Sequence, residues 1–303
     1  MATPTVDAVK EKQKTCWPSV EDIIKHKLWF VIAFVWAALI AITYLFPFKW
    51  WWGEWWRDES YYSHGILIPI MSGFIIWFNW NRIKKIHIEP SIWGFVIILP
   101  MLFLNYKAQV SSLASIGGIT FPIMLVGMAL LLFGKAVVRE LLFPAGFLYF
   151  MVVPPTSILE PLSFKIQIAS TNIAVMGLHL LGLDAVQTGT QIQLPNGLPM
   201  VVGAPCSGFR MLIALLAFTV FFVFMKKGPK WGKLSMVAIV LPLSLLANSV
   251  RVLMIALVGE YYGEDAMHAF HDYSGYIVLV ITFAVLVLFA KVVKCRDFKS
   301  MPA

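Results

Sequence analysis

Charged residues are scarce in this sequence, and so are cysteines and any grouping of metal-ligating side chains. Asp, Glu, Lys and Arg make up 13% of the 303 residues, hydrophobic residues make up 59%, and the mean hydropathy is +0.79. A soluble domain carries more charge than this and has no core large enough to bury so much apolar surface. No thiolate or imidazole cluster stands at metal-ligand spacing, so the sequence predicts neither a metal nor a cofactor.

Apolar runs long enough to cross a bilayer recur along the chain. We therefore expect an all-α integral membrane protein with about eight transmembrane helices. The membrane domain would cover residues 28–292, between an N-terminal tail at 1–27 and a C-terminal tail at 293–303. The predicted spans are 28–46, 62–80, 92–107, 116–134, 138–153, 208–225, 234–258 and 273–290.

The basic residues indicate the orientation of these spans. If both termini are cytoplasmic, 18 of the 24 Lys and Arg residues fall on the inner side and only four fall in outer segments. This distribution follows the positive-inside rule. The net charge of +8 then matches an inner leaflet of anionic lipid, and no nucleic-acid partner is needed to explain it.

The longest segment between spans, about 154–205, is predicted on the outer face. Residues 158–181 are apolar enough to form a helix on the membrane surface or a re-entrant helix. Val186–Leu194 and Pro199–Val202 flank Pro195-Asn196-Gly197, which predicts a short β-hairpin leading to Cys206.

Cys206 is the only one of three cysteines predicted outside, because Cys16 and Cys295 fall in the cytoplasmic tails. It stands in Ala-Pro-Cys-Ser-Gly-Phe-Arg, directly before an apolar helix. Pro205 extends the chain and Ser207 can cap the helix, so the helix N-terminus would stabilise a thiolate. Arg210 adds a cation one turn away. The alternative is that Cys206 is a small buried hydrophobe.

Two further polar groups interrupt the last spans. Asn248 and Arg251 share a helix face, and an arginine there is costly unless it faces the bundle or water. Arg251 could fix a carboxylate or a developing oxyanion, or it could simply extend to the interface. His271 is favoured over His268 as a proton donor, because Gly275 lies one turn further on and allows close helix approach.

Counting from the basic clusters places these groups at one depth. Cys206, Arg251 and His271 each lie 18 to 20 positions from cytoplasmic cations, or roughly 27–30 Å at the helical rise. His64, counted from Arg82, falls at the same height. A Cys, an Arg and one or two His at the outer rim predict an enzyme with a thiol nucleophile.

These motifs closely resemble the exosortase and archaeosortase family of membrane sorting enzymes, from Tyr61-Tyr62-Ser63-His64-Gly65 to the HDYSGY motif that contains His271. The resemblance implies a cysteine protease/transpeptidase with Cys206, Arg251 and His271 as its triad. Its substrates would be exported proteins with a C-terminal Pro-Glu-Pro signal, a spanning helix and a basic tail. A histidine as the third triad residue resembles the bacterial members of the family. The resemblance therefore implies a location in the bacterial cytoplasmic (inner) membrane.

Acyl transfer is the mechanism expected for such a triad, with Arg210, His64 and Asn248 as candidate substrate-binding residues. The acceptor of the acyl group stays open. Two other classes were weighed. A transporter would place polar groups across the whole bilayer depth, whereas these collect at one rim. A membrane acyltransferase or thioesterase would use the same thiol on a lipid and differs only in its substrate.

Overall fold

The computed structural model describes residues 27–57, 60–203 and 207–300, most of which are helical. We number the helices in chain order, and two 3₁₀ turns, Ser63–Ile66 and Leu148–Met151, lie among them. The helices are α1 Lys27–Thr43, α2 Leu45–Trp56, α3 Leu67–Phe78, α4 Trp80–Ile83, α5 Gly94–Val110, α6 Ala114–Phe133, α7 Lys135–Phe147, α8 Thr156–Leu180, α9 Phe209–Met225, α10 Lys230–Ala238, α11 Val240–Tyr262 and α12 Glu264–Val292.

Three helical stretches are each long and apolar enough to cross a membrane: α6, the continuous run Lys230–Tyr262, and α12. Two bent helix pairs, α1 with α2 and 135–151 with α8, raise the number to five if each pair is one span. The chain is thus a multi-pass membrane protein with three to five such spans in the part described, and the eight predicted spans are not confirmed. Helices α5 and α9 have 17 residues each, which reach roughly 25 Å and fall short of a hydrocarbon core of about 30 Å.

The predicted outer segment does contain a long helix, because α8 runs for 25 residues over Thr156–Leu180. The predicted two-stranded hairpin is wrong in its strand count. Three strands, β1 Val186–Thr188, β2 Gln191–Gln193 and β3 Pro199–Val201, form an antiparallel sheet in the order β1-β2-β3. The chain turns at Gly189-Thr190 within the first predicted strand, so that Ile192 pairs with both Gln187 and Met200.

The helices form two compact units. The first contains residues up to 52 and residues 67–152, apart from the undescribed N-terminus. Its core joins α1, α5 and α6 through Ile40, Tyr44, Ile98, Met124 and Met128. The Tyr44 hydroxyl forms a buried hydrogen bond of 2.7 Å with the Thr120 hydroxyl beside this core.

The second unit contains residues 53–66 and 153–299 and holds every candidate site residue that the structure describes. The sheet packs on α8 and α11 around a core that includes Leu178, Ile192, Val202, Val252 and Ile255, all almost completely buried. The turn after β2 is tied to the end of α11, where the Asn196 amide donates to the carbonyls of Gly259 and Glu260. These contacts fix the point at which the chain leaves the sheet for α9.

The C-terminal segment is part of the same unit. Lys226 pairs with Phe298 in an antiparallel bridge, and its ammonium donates to the Arg296 carbonyl at 2.7 Å. Cys295 is buried in a cluster with Met236 and Leu286, so this predicted tail cysteine is a packed hydrophobe. Most of the predicted N-terminal tail, with Cys16, lies outside the described residues.

Candidate active site

The chain is described on both sides of Cys206, although Cys206 itself lies outside the described residues together with 204 and 205. β3 ends at Val201 and α9 begins at Phe209. The Ser207 hydroxyl accepts a hydrogen bond from the Phe209 amide at 3.1 Å, while Gly208 is the N-cap residue. Ser207 therefore supports the first turn of α9 from one position further out than a usual N-cap side chain.

Gly208 brings the start of α9 against α11. Its φ of +73° is left-handed, and a Cβ added there would lie 2.9 Å from Cγ and Nδ2 of Asn248. Only glycine fits this position without strain or collision. Asn248 is 1% exposed. Gly208 thus packs on the polar face of α11, one helical turn from Arg251.

Arg251 is held by the early turns of α12. Its Nε donates to the Ser274 hydroxyl at 3.0 Å, and its Nη2 donates to the His271 carbonyl at 2.9 Å. Ser274 is buried, and its hydroxyl donates to the same carbonyl at 3.1 Å. Three groups on two helices therefore close a hydrogen-bonded ring that fixes the plane of the guanidinium. An arginine that only extended to the interface would not need this ring.

Gly275 provides the space for this arrangement. A Cβ at position 275 would stand 3.2 Å from Nη2 and 3.3 Å from Cζ of Arg251. Any side chain here would press the guanidinium away from Ser274. The close approach predicted at Gly275 is therefore present: the Arg251 side chain of α11 packs against the backbone of α12 at this glycine.

His271 contacts Arg251 through its backbone carbonyl. Its Nδ1 lies 3.2 Å from Oδ1 of Asp272, and its side chain is 32% exposed. A neighbouring carboxylate can hold an imidazole in one tautomer with Nε2 directed outward. His268 lies near Glu264 at 3.6 Å, and both side chains are about two-thirds exposed. His271 is therefore the histidine joined to the Arg251 network.

The remaining candidates lie around the turn at Ser63–Ile66. Arg210 donates from Nε and Nη2 to the Ser63 hydroxyl, at 3.1 and 2.8 Å. His64 is buried and stacks on Tyr62, with ring centroids 5.6 Å apart. Because its side chain is buried, His64 is placed to support the turn that carries Ser63 rather than to contact a substrate.

A surface cavity of about 280 Å³ adjoins Arg210 and is lined by residues from α2, the turn at Ser63, α9 and α12. Sequence reasoning missed this cavity and the roles of Ser63 and Ser274 as partners of the two arginines. Both serines stand inside motifs that the sequence singled out, but serine alone gives no signal of which arginine it meets. Within the described ranges, no group of three or more His, Cys, Asp or Glu residues could hold a metal ion.

Comparison with known proteins agrees with these motifs. A family model described as transmembrane exosortase matches residues 55–288. The chain belongs to the exosortase family. The match covers most of the chain and includes the Ser63 turn, Cys206, Arg251 and His271, so the resemblance found in the sequence is confirmed. No curated protein and no solved structure matches this exosortase.

Proposed function

We propose that this exosortase is a membrane-embedded cysteine protease/transpeptidase. It cleaves C-terminal Pro-Glu-Pro sorting signals of exported proteins at the outer face of the bacterial cytoplasmic membrane. The proposed topology has eight spans with both termini inside, the membrane domain at 28–292 and tails at 1–27 and 293–303, and it requires the 17-residue helices α5 and α9 to cross as short spans. The basic residues of the inner loops support this orientation.

One observation carries the assignment of the active site: α9, α11 and α12 contact one another through the three motifs themselves. Gly208, two residues after Cys206, packs on Asn248. Arg251, three residues after Asn248, bonds to the His271 carbonyl. These two contacts support the assignment, because they join three motifs that are far apart in the chain.

In the proposed reaction, the Cys206 thiolate attacks the carbonyl carbon of the scissile peptide bond. The C–N bond then breaks, its electron pair goes to nitrogen, and the protonated His271 supplies the proton to the leaving amine. Arg251, whose guanidinium plane is fixed by the bonds of Nε and Nη2 to α12, stabilises the tetrahedral oxyanion with its positive charge. An acceptor then attacks the thioester carbonyl and loses its proton to His271. The C–S bond breaks with its electron pair on sulfur, which restores the Cys206 thiolate and the protonated His271.

Arg210 and Asn248 are assigned to the substrate, with His64 acting through the Ser63 turn. Arg210 is a cation, and its bonds to the neutral Ser63 hydroxyl fix the plane of the guanidinium. Asn248 fixes the backbone next to the thiol through Gly208. The molecules that the enzyme would contact are therefore its exported protein substrate and the membrane lipid.

A processing assay tests the function. The purified protein in lipid vesicles should convert a model substrate, which ends in a Pro-Glu-Pro signal, a spanning helix and a basic tail, into a shorter product visible by gel and mass spectrometry. A substrate with the same residues of the signal in scrambled order is the matched control and should stay intact. If neither substrate is shortened while a lipid acyl group is transferred or hydrolysed, the enzyme is an acyltransferase or thioesterase. If neither reaction occurs and a solute crosses the vesicle membrane, it is a transporter.

A further inference from the structure

The cavity beside Arg210 combines positive charge with aromatic walls. Arg57 and Arg210 contribute guanidinium groups, and Trp55, Trp56 and Tyr276 contribute rings. Trp55 is buried, whereas Trp56 and Tyr276 are largely exposed and stand at the rim. A cavity of this composition fits an anionic group attached to a flat or ring-shaped apolar neighbour.

The two arginines differ in how they are held. Arg210 is only partly exposed and fixed on Ser63, so its orientation is set before any ligand arrives. Arg57 is 57% exposed and pairs with Glu54 at 3.0 Å. An incoming carboxylate therefore meets a prepared partner in Arg210 and competes with Glu54 for Arg57.

The cavity also lies close in sequence to the proposed chemistry on two helices. Arg210 is the second residue of α9, and the chain reaches α9 directly from Cys206. Tyr276 lies five residues after His271 on α12. A group bound in the cavity would belong to a segment within a few residues of the reacting peptide bond.

We infer that this cavity is a recognition subsite for one acidic residue of an extended peptide, with the carboxylate at Arg210 and a neighbouring ring packed on Trp56 and Tyr276. The inference rests on the proposed function for the identity of the peptide. A peptide is favoured over a lipid phosphate because two lining residues, Arg210 and Tyr276, stand four and five residues from Cys206 and His271 in the sequence. The Glu54 pair makes Arg57 a weaker, competing contact at the rim.

Binding can be measured without turnover in the full-length Cys206→Ala protein in neutral phosphatidylcholine nanodiscs. The probe is a fluorescent peptide with one glutamate between two prolines, compared with the glutamine peptide. Arg210→Gln should weaken binding of the glutamate peptide at least about tenfold and change binding of the glutamine peptide little. Arg210→Lys should fall between, because it keeps the charge and loses the two-point geometry.

Three more variants separate recognition from folding. Trp56→Ala should weaken binding about tenfold, whereas Trp52→Ala, an exposed tryptophan one turn earlier and outside the cavity lining, should not. Glu54→Gln should strengthen binding of the glutamate peptide by roughly twofold to threefold, because it removes the competing carboxylate. A loss of fold would not produce an increase.

The inference is overturned if Arg210→Gln weakens both peptides equally, or if Trp52→Ala and Trp56→Ala act alike. It is also overturned if phosphatidylglycerol in the nanodisc displaces the peptide from Arg210 but has no effect on Arg210→Gln, because the cavity then holds a lipid headgroup. Since the assay uses the Cys206→Ala protein, peptide binding stands or fails independently of the proposed acyl transfer.

Discussion

Cys206→Ser should abolish processing of the sorting signal, with a loss of at least about a thousandfold in rate, while the protein still accumulates in the membrane. A serine hydroxyl is ionised far less readily than a thiol, and the proposed reaction starts from an ionised nucleophile with His271 already protonated, so His271 cannot also act as the base for serine. The rate of product formation per unit of folded enzyme measures this effect. Removing a nucleophile typically has an effect of this size or larger.

Cys295 provides a control of the same substitution. It is buried between α10 and α12, and its sulfur lies beside Gly228 and Gly232. Cys295→Ser should lower thermal stability because it buries a hydroxyl among apolar side chains, but the activity of the folded fraction should remain. Wild-type processing by Cys206→Ser, or a loss in both variants alike, would contradict the nucleophile assignment.

Arg251→Lys should reduce the processing rate by about 10²–10³-fold. Arginine bonds to the Ser274 hydroxyl and the His271 carbonyl with a rigid fork, which holds its positive charge in a fixed orientation for the oxyanion. A lysine ammonium is a single point that cannot hold both helix partners and the oxyanion in fixed geometry. Steady-state kinetics should show the loss in kcat, because the oxyanion forms only in the transition state.

Ser274→Ala provides a graded comparison, because it removes the hydroxyl that bonds to Arg251 Nε and leaves the positive charge of Arg251 in place. We expect a smaller loss, about tenfold, and a further loss on Arg251→Lys that is less than additive. Arg82→Lys is the matched control. Arg82 pairs with Glu140 at 2.9 Å in the first unit and should keep activity within about twofold. Activity of Arg251→Lys near that of Arg82→Lys would reduce Arg251 to a generic cation.

Long apolar runs made the helices predictable, because helix length and hydropathy are local properties. The number of spans stays a prediction, since α5 and α9 have 17 residues each and hydropathy alone does not decide whether helices of that length cross the membrane. The strand count was wrong for a related reason. Gly189-Thr190 is a weak turn signal inside a run of alternating residues, and sheet pairing with β3 decides how it folds.

The candidate site shows the same limit. Motifs around Cys206, Arg251 and His271 could be found by residue type and spacing, and the importance of Gly275 followed from its size. The contact through the His271 carbonyl could not be foreseen, because a backbone carbonyl carries no sequence signal. The partners of Arg210 and Arg251 are serines 147 and 23 residues away, and only tertiary packing selects them.

Trapping the acyl-enzyme tests the central claim, acyl transfer through Cys206, most directly. Enzyme mixed with substrate and quenched in acid should carry the N-terminal substrate fragment as a thioester, detected by intact mass. Digestion should map the adduct to the peptide containing Cys206, hydroxylamine should release it, and Cys206→Ala should lack it. An adduct on another residue, or substrate cleavage that continues in Cys206→Ala, would contradict the account.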